Sequence, residues 1–360
     1  MKTALQAMYW TTLAPFIGLA LLLSAGRVPP GPWLTAATVL VLAATVFAAV
    51  HHAEVVAHRV GEPFGTLLLA VAVTVIEVAL IVSMMLGGGP EKASLARDTV
   101  FSAIMIVCNG IVGLCLLLGG LRHRVQGFQL HGANAALGVL VPLAVLTLIL
   151  PNYMLSAPGP ALDDTQLAFV GLVSLAFYGV FVFVQTVRHR DYFLVPGSHD
   201  EDEHALPPTR PAALASGALL MLSLFAVVGL AKLLSPTVEA GVAQIGAPAS
   251  VVGIVIAALV LMPEGLAAAR AARADRLQTS LNLALGSVLA SIGLTIPVLA
   301  AIHVVLGQTL VLGLTERDTI LLVLTLFVST MTLATGRTTV LQGMVHLLLF
   351  VVFLFLSVLP

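Results

Sequence analysis

Two carboxylates stand in surroundings that offer them no water. Glu77 is the single charge in Pro63–Leu86, PFGTLLLAVAVTVIEVALIVSMML, and Glu264 is the single charge in Ala247–Ala269, APASVVGIVIAALVLMPEGLAAA. Each stretch is long enough to cross a bilayer. An ionisable group at that depth costs roughly 2.5–3.5 kcal/mol on insertion scales, so it marks a functional site by default. Burial and mutual repulsion disfavour ionising both carboxylates at once. Such a pair can hold protons at one moment and a cation at the next, and hard cations such as Ca²⁺ take oxygen ligands.

The surroundings of the two glutamates differ. Thr74 lies three residues before Glu77 on the same helix face, where its hydroxyl can join the site. The matching residue before Glu264 is Leu261, but Pro263 precedes Glu264 directly. Proline has no N–H, so the carbonyl of Leu259 loses its helical partner and becomes a possible cation ligand. Asn109 lies deep in the next apolar run of the first half, with Ser102 two turns earlier. In the second half Ser287, Ser291 and Thr295 recur every four residues as a hydroxyl stripe, with Asn282 nearer its start. Gly110, Gly113, Gly286 and Gly293 let neighbouring helices approach closely.

These residues need a membrane to position them. The chain of 360 residues is 59% hydrophobic and only 9% charged, where a soluble domain carries about 25% charge. Lipid is its natural solvent. A net charge of −1 and the lack of a basic run speak against a nucleic-acid partner. Cys108 and Cys115 lie about 10 Å apart along one helix, too far for a disulfide. The apolar run after Lys2 shows no clear cleavage site and reads as a first span. The fold expected is an all-α polytopic membrane protein with about eleven helices, at about 10–26, 33–52, 63–86, 99–120, 134–151, 166–187, 212–234, 247–269, 279–306, 318–335 and 339–358.

With the N-terminus cytoplasmic, eleven of the 16 lysines and arginines fall in inside loops and five outside, which orients the chain with its C-terminus outside. Residues 1–32 then form an extra N-terminal helix, 33–188 a first five-helix repeat, 189–211 a cytoplasmic acidic linker and 212–360 a second repeat. The helix of Glu77 begins inside and that of Glu264, five spans later, begins outside. The repeat is therefore inverted, and such repeats place their binding site near the midplane. The linker carries His199–His204, HDEDEH, either a solvated connector or a patch that attracts cations. His51, His52, Glu54 and His58 crowd the end of helix two; their spacing is not the H-E-x-x-H of a zinc protease. His303 and His346 stand near helix ends and read as structural.

At these residues the sequence resembles the Ca²⁺/cation antiporter superfamily, and within it the ChaA-type branch of the cation/proton exchangers. VTVIE ending at Glu77 and VLMPE ending at Glu264 resemble the family's G-N-x-x-E-like motifs. GSVLAS at Gly286–Ser291 and IMIVCN at Ile104–Asn109 resemble the motif on the following helix. The family's Gly-Asn is here Val73–Thr74 and Val260–Leu261, which removes amide oxygens and points toward Na⁺ or K⁺ as well as Ca²⁺. The resemblance implies an antiporter in a bacterial inner membrane. In that reading Glu77 and Glu264 bind cation or protons in turn, and Thr74, Asn109, Ser287, Ser291 and the Leu259 carbonyl are auxiliary oxygens. Its partners are the transported ions (Ca²⁺, Na⁺ or K⁺, and H⁺) and the lipid bilayer, with no cofactor. A secondary transporter, not an enzyme, is expected. The rivals are an intramembrane metal-dependent hydrolase using the scattered histidines, and a cation channel.

Overall fold

The computed structural model describes residues 2–25, 31–61, 64–85, 90–156, 159–194, 207–306 and 310–359. The acidic run His199–His204 lies outside the described residues. The helices in chain order are α1 (Lys2–Ala25), α2 (Pro32–Val60), α3 (Phe64–Met85), α4 (Leu95–Met105), α5 (Val112–His123), α6 (Leu130–Ala144), α7 (Asp164–Phe183), α8 (Arg210–Gln244), α9 (Ser250–Arg273), α10 (Leu277–Leu306), α11 (Glu316–Leu333) and α12 (Val340–Val358). A π-helical turn at Ile106–Ile111 joins α4 to α5 in one rod, so the twelve segments make the eleven expected helices. Two further π turns, Val145–Ile149 and Val184–Arg188, extend α6 and α7.

Nine of the helices among the described residues are long and apolar enough to cross a membrane. The other two are α1, whose described apolar part is shorter, and α11, whose first turn carries Glu316, Arg317 and Asp318. Leu40, Phe169, Leu172, Phe225 and Phe327 turn outward and exposed, as lipid-facing side chains do. Two helices outrun expectation. The histidine-bearing end of α2 is helical through Val60. α8 continues past Pro236 to Gln244, with Ser235 donating to Glu239 across that turn. Helices bounded by water start on caps: Asp163 and Gln166 form a capping box for α7, and Thr315 accepts the Asp318 amide at α11.

The chain divides into two compact units, Met1–Gly88 with His204–Ile245, and Gly89–Glu203 with Gly246–Pro360. Each unit therefore draws helices from both sequence halves. In the first, α2 packs on α8, α1 and α3. In the second, α10 packs on α7 and α9, α4 on α9, and α5 on α12. A two-residue antiparallel ladder pairs Gln126 with Thr338 and Gly127 with Arg337, tying the end of α5 to the start of α12. The Gln126 amide also donates to the Ala272 carbonyl and to Asp275, so the ends of α5, α9 and α12 are fastened together.

Glycine decides how near α5 and α12 come. A Cβ on Gly113 would lie 2.9 Å from the Cβ of His346, and one on Gly343 would lie 2.5 Å from the backbone nitrogen of Leu117. Only residues without side chains permit that approach.

Candidate functional site

In the first unit, α3 holds Glu77 and Thr74 one turn apart, 3% and 5% exposed. The Thr74 hydroxyl has no hydrogen-bond partner among the described residues. Buried polar atoms are nearly always bonded, so a lone oxygen one turn from a buried carboxylate is suited to receive an ion. The same unit holds His52, whose ring nitrogens lie 3.4 Å from the Ser216 hydroxyl and 3.2 Å from the Thr11 carbonyl. Those contacts tie α2 to α8 and α1 and leave the histidine a packing role.

In the second unit, Glu264 follows Pro263 inside a continuous α9, so the Leu259 carbonyl faces a residue with no N–H to offer. The next residue, Gly265, would bring a Cβ to 3.1 Å from Ile111. Glu264 thus sits where α9 meets the π turn that contains Asn109. Ser291 is buried on the neighbouring α10, and Ser287, one turn earlier, is half-buried. Near the start of that helix Asn282 donates to the Phe193 carbonyl at 2.6 Å, and Gln278 donates to Asn282 at 2.9 Å. Asn282 therefore anchors the segment that leads toward the linker.

Asn109 is fully buried, and its amide is bonded at both ends. Its Nδ2 donates to Thr325 Oγ1 at 2.8 Å, and its Oδ1 lies 3.2 Å from His346 Nδ1. Thr325 Oγ1 in turn lies 3.3 Å from Met105 Sδ, and His346 Nε2 lies 3.1 Å from Thr332 Oγ1. His346 is also fully buried. The sequence reading placed it near a helix end, and it does lie in the second turn of α12. Its surroundings are nevertheless the interior. A signal for this existed: Thr325, Ser329 and Thr332 make a hydroxyl stripe on α11 like the one on α10, and an apolar span with one histidine needs such partners.

The remaining histidine of interest, His303, meets exposed Asp164 at 3.1 Å. Arg97 and Arg317 each pair with the aspartate that follows, and Asp98 and Asp318 each accept from the hydroxyl of a preceding residue, Ser94 and Thr315. Among the described residues no three His, Cys, Asp or Glu side chains converge as metal ligands.

A multi-pass helical protein that keeps single carboxylates, an amide and hydroxyls within apolar spans has the build of an ion-exchanging secondary transporter. The chain belongs to the sodium/calcium exchanger protein family, whose model matches residues 30–187 and 215–359. It is 56% identical over 323 residues to the proposed ionic transporter y4hA of Sinorhizobium fredii (strain NBRC 101917 / NGR234), covering 89% of this chain and 87% of that one. It is 37% identical over 313 residues to the sodium-potassium/proton antiporter ChaA of Escherichia coli (strain K12), covering 86% and 84%. Its fold matches the structure of native YfkE with a TM-score of 0.75 at 16% identity, over 98% of this chain and 100% of that one.

Proposed function

We propose that the protein exchanges a cytoplasmic cation, Ca²⁺, Na⁺ or K⁺, for external protons across a bacterial inner membrane, with its N-terminus cytoplasmic and its C-terminus outside. The observation that carries the reading is that two carboxylates, Glu77 in α3 and Glu264 in α9, are each the single charge of an apolar stretch. The Thr74 hydroxyl beside Glu77, unpartnered among the described residues, and the Leu259 carbonyl, whose helical partner position is Pro263 with no N–H, support it, because both are oxygens that a cation can use. Asn109, Ser287 and Ser291 complete the proposed oxygen set. The name of ChaA, a sodium-potassium/proton antiporter, supports cation-for-proton exchange in this chain also.

Coupling follows from chemistry. Cation and protons compete for the same carboxylates, so a loaded site of either kind is electrically tolerable in the low-dielectric interior, whereas an empty doubly ionised one is not. Alternating access needs only that the site reorient when it is neutralised. The test uses proteoliposomes with an acid interior and a pH-sensitive dye, to which Ca²⁺, Na⁺ and K⁺ are added separately. Wild type should collapse the gradient with at least one ion, and Glu77→Gln and Glu264→Gln should each abolish that while inserting normally. Collapse with none of the three ions would refute antiport of these cations, and wild-type turnover in either glutamine variant would refute the shared-carboxylate mechanism.

A further inference from the structure

His346 has no part in the exchange chemistry above, yet with Thr325 it holds the Asn109 amide. The donor pattern shows how. Asn109 Nδ2–H donates to Thr325 Oγ1, and the Thr325 hydroxyl lies 3.3 Å from the Met105 sulfur, which can accept its hydrogen. The amide oxygen therefore faces the ring, and an oxygen can only accept. His346 Nδ1 must carry the hydrogen, which leaves Nε2 to accept from the Thr332 hydroxyl at 3.1 Å. Asn109, Thr325, His346 and Thr332 thus each pair a donor with an acceptor.

The π turn is the element this arrangement holds. A π turn inside an α-helix is a local irregularity, frequent at functional sites, and it needs support from outside its own helix. Here Ile111, at the end of the turn, packs on Gly265 of α9, next to Glu264. On another side α12 presses in through the glycine contact at Gly113, which brings His346 to the Asn109 amide. α12 and α11 thus reach the glutamate's helix through the turn.

We infer that His346 is a positioning residue for ion exchange, which through its Nδ1–H to Asn109 sets the amide and the π turn against the Glu264 segment of α9. The inference rests on the antiport reading above. It does not require His346 to touch the ion.

Side-chain stereochemistry supplies the test. Asparagine at 346 puts an amide N–H near the place of Nδ1 and keeps the bond to Asn109. Glutamine puts its amide near the place of Nε2, keeping Thr332 and losing Asn109. In proteoliposomes, with dye-reported exchange normalised to folded protein, His346→Gln should raise the apparent KM for the transported cation at least fivefold. Its maximal rate should fall less than twofold. His346→Asn should stay within twofold of wild type in both. In an Asn109→Ala background, which itself raises KM, His346→Gln should add less than a further twofold. Wild-type KM in His346→Gln would overturn the proposal, and so would equal damage in the two variants or additive damage in the double variant. Should His346→Gln fail to fold, a fivefold rise of KM in a stably folded His346→Asn would overturn it equally. Glu77→Gln run alongside separates the two readings. Exchange lost in Glu77→Gln but unmoved in His346→Gln fails this inference alone, whereas exchange retained in Glu77→Gln fails the carboxylate reading.

Discussion

Gly343→Ala adds one methyl group at the closest approach of α12 to α5. The new Cβ would lie 2.5 Å from the Leu117 nitrogen, 2.9 Å from the Leu117 Cα and 3.0 Å from the Gly113 oxygen, all backbone atoms that no rotamer can move. Ordinary contact begins near 3.4 Å, and 3.4 less 2.5 asks α12 to retreat by roughly 0.9 Å if contact is to be ordinary again. Sliding is no escape, because the Gln126–Thr338 ladder fastens the two helices at one end. His346 lies one turn further along α12 and must move with it. Its Nδ1, now 3.2 Å from Asn109 Oδ1, would end near ~4 Å, outside hydrogen-bond range.

Two costs follow. Overpacking a tight interface costs about 1–3 kcal/mol, and a buried amide oxygen deprived of its donor costs about 1–3 kcal/mol more. The better helix propensity of alanine returns at most about 1 kcal/mol. The balance is a destabilisation on the order of 2–4 kcal/mol. Thermal unfolding in detergent should show a midpoint several degrees below wild type, and exchange assays should show a raised cation KM. Gly138→Ala is the control, since a Cβ there meets nothing within 4 Å; its midpoint should equal or exceed wild type, by up to about 1 kcal/mol of helix propensity, and its KM should match. A Gly343→Ala protein with wild-type midpoint and KM would refute the argument that close approach is required. A lowered midpoint with unchanged KM would leave the packing argument standing and break its link to Asn109.

Two further substitutions test the auxiliary oxygens. Thr74→Val replaces a buried hydroxyl that has no partner among the described residues with a methyl of similar volume; stability should hold or rise by up to about 1 kcal/mol, while cation KM rises severalfold. A wild-type KM would remove Thr74 from the site. Pro263→Ala returns an N–H to the Leu259 carbonyl and should raise the unfolding midpoint, since proline in a helix interior is disfavoured by about 3 kcal/mol; cation affinity should fall as that carbonyl is drawn back into the helix. A stabilised variant with undiminished affinity would show that the ion does not use Leu259.

The helices were legible because their signal is composition over some twenty residues, and lipid leaves the backbone no alternative to self-satisfaction. Glu77 and Glu264 were legible for the same reason: one charge in an apolar run is conspicuous. What escaped was local. Nothing in IVCNGI announces a π turn, since a π turn differs from an α turn by one hydrogen-bond step and its residues have no distinct pattern. The extra turns of α2 and α8 escaped because an apolar run marks only the part of a helix that lipid covers, while the helix itself runs on to Val60 and, past Pro236, to Gln244. His346 was read by its distance from the helix end. Burial depends instead on what α5 and α11 place against it, which only the glycine contacts at Gly113 and Gly343 decide.

The two halves supply different chemistry to positions that the motifs make equivalent. On α10 the motif residues are serines, Ser287 and Ser291, short hydroxyls that pack without distorting the helix. On the rod of α4 and α5 the motif keeps its asparagine, and there the helix departs from α geometry. An amide differs from a hydroxyl in having a fixed sense, donor at one end and acceptor at the other. It can be aimed, but only by neighbours that read both ends. Thr325 does so from α11 and His346 from α12, and His346 would not reach Asn109 if α12 stood off by the width of a methyl group. The glycines of the α5–α12 interface, the histidine of α12 and the asparagine of the π turn are thus one device. Any substitution that breaks the contact between His346 and Asn109 should shift the same observable, cation affinity, and combining two such substitutions should shift it little further.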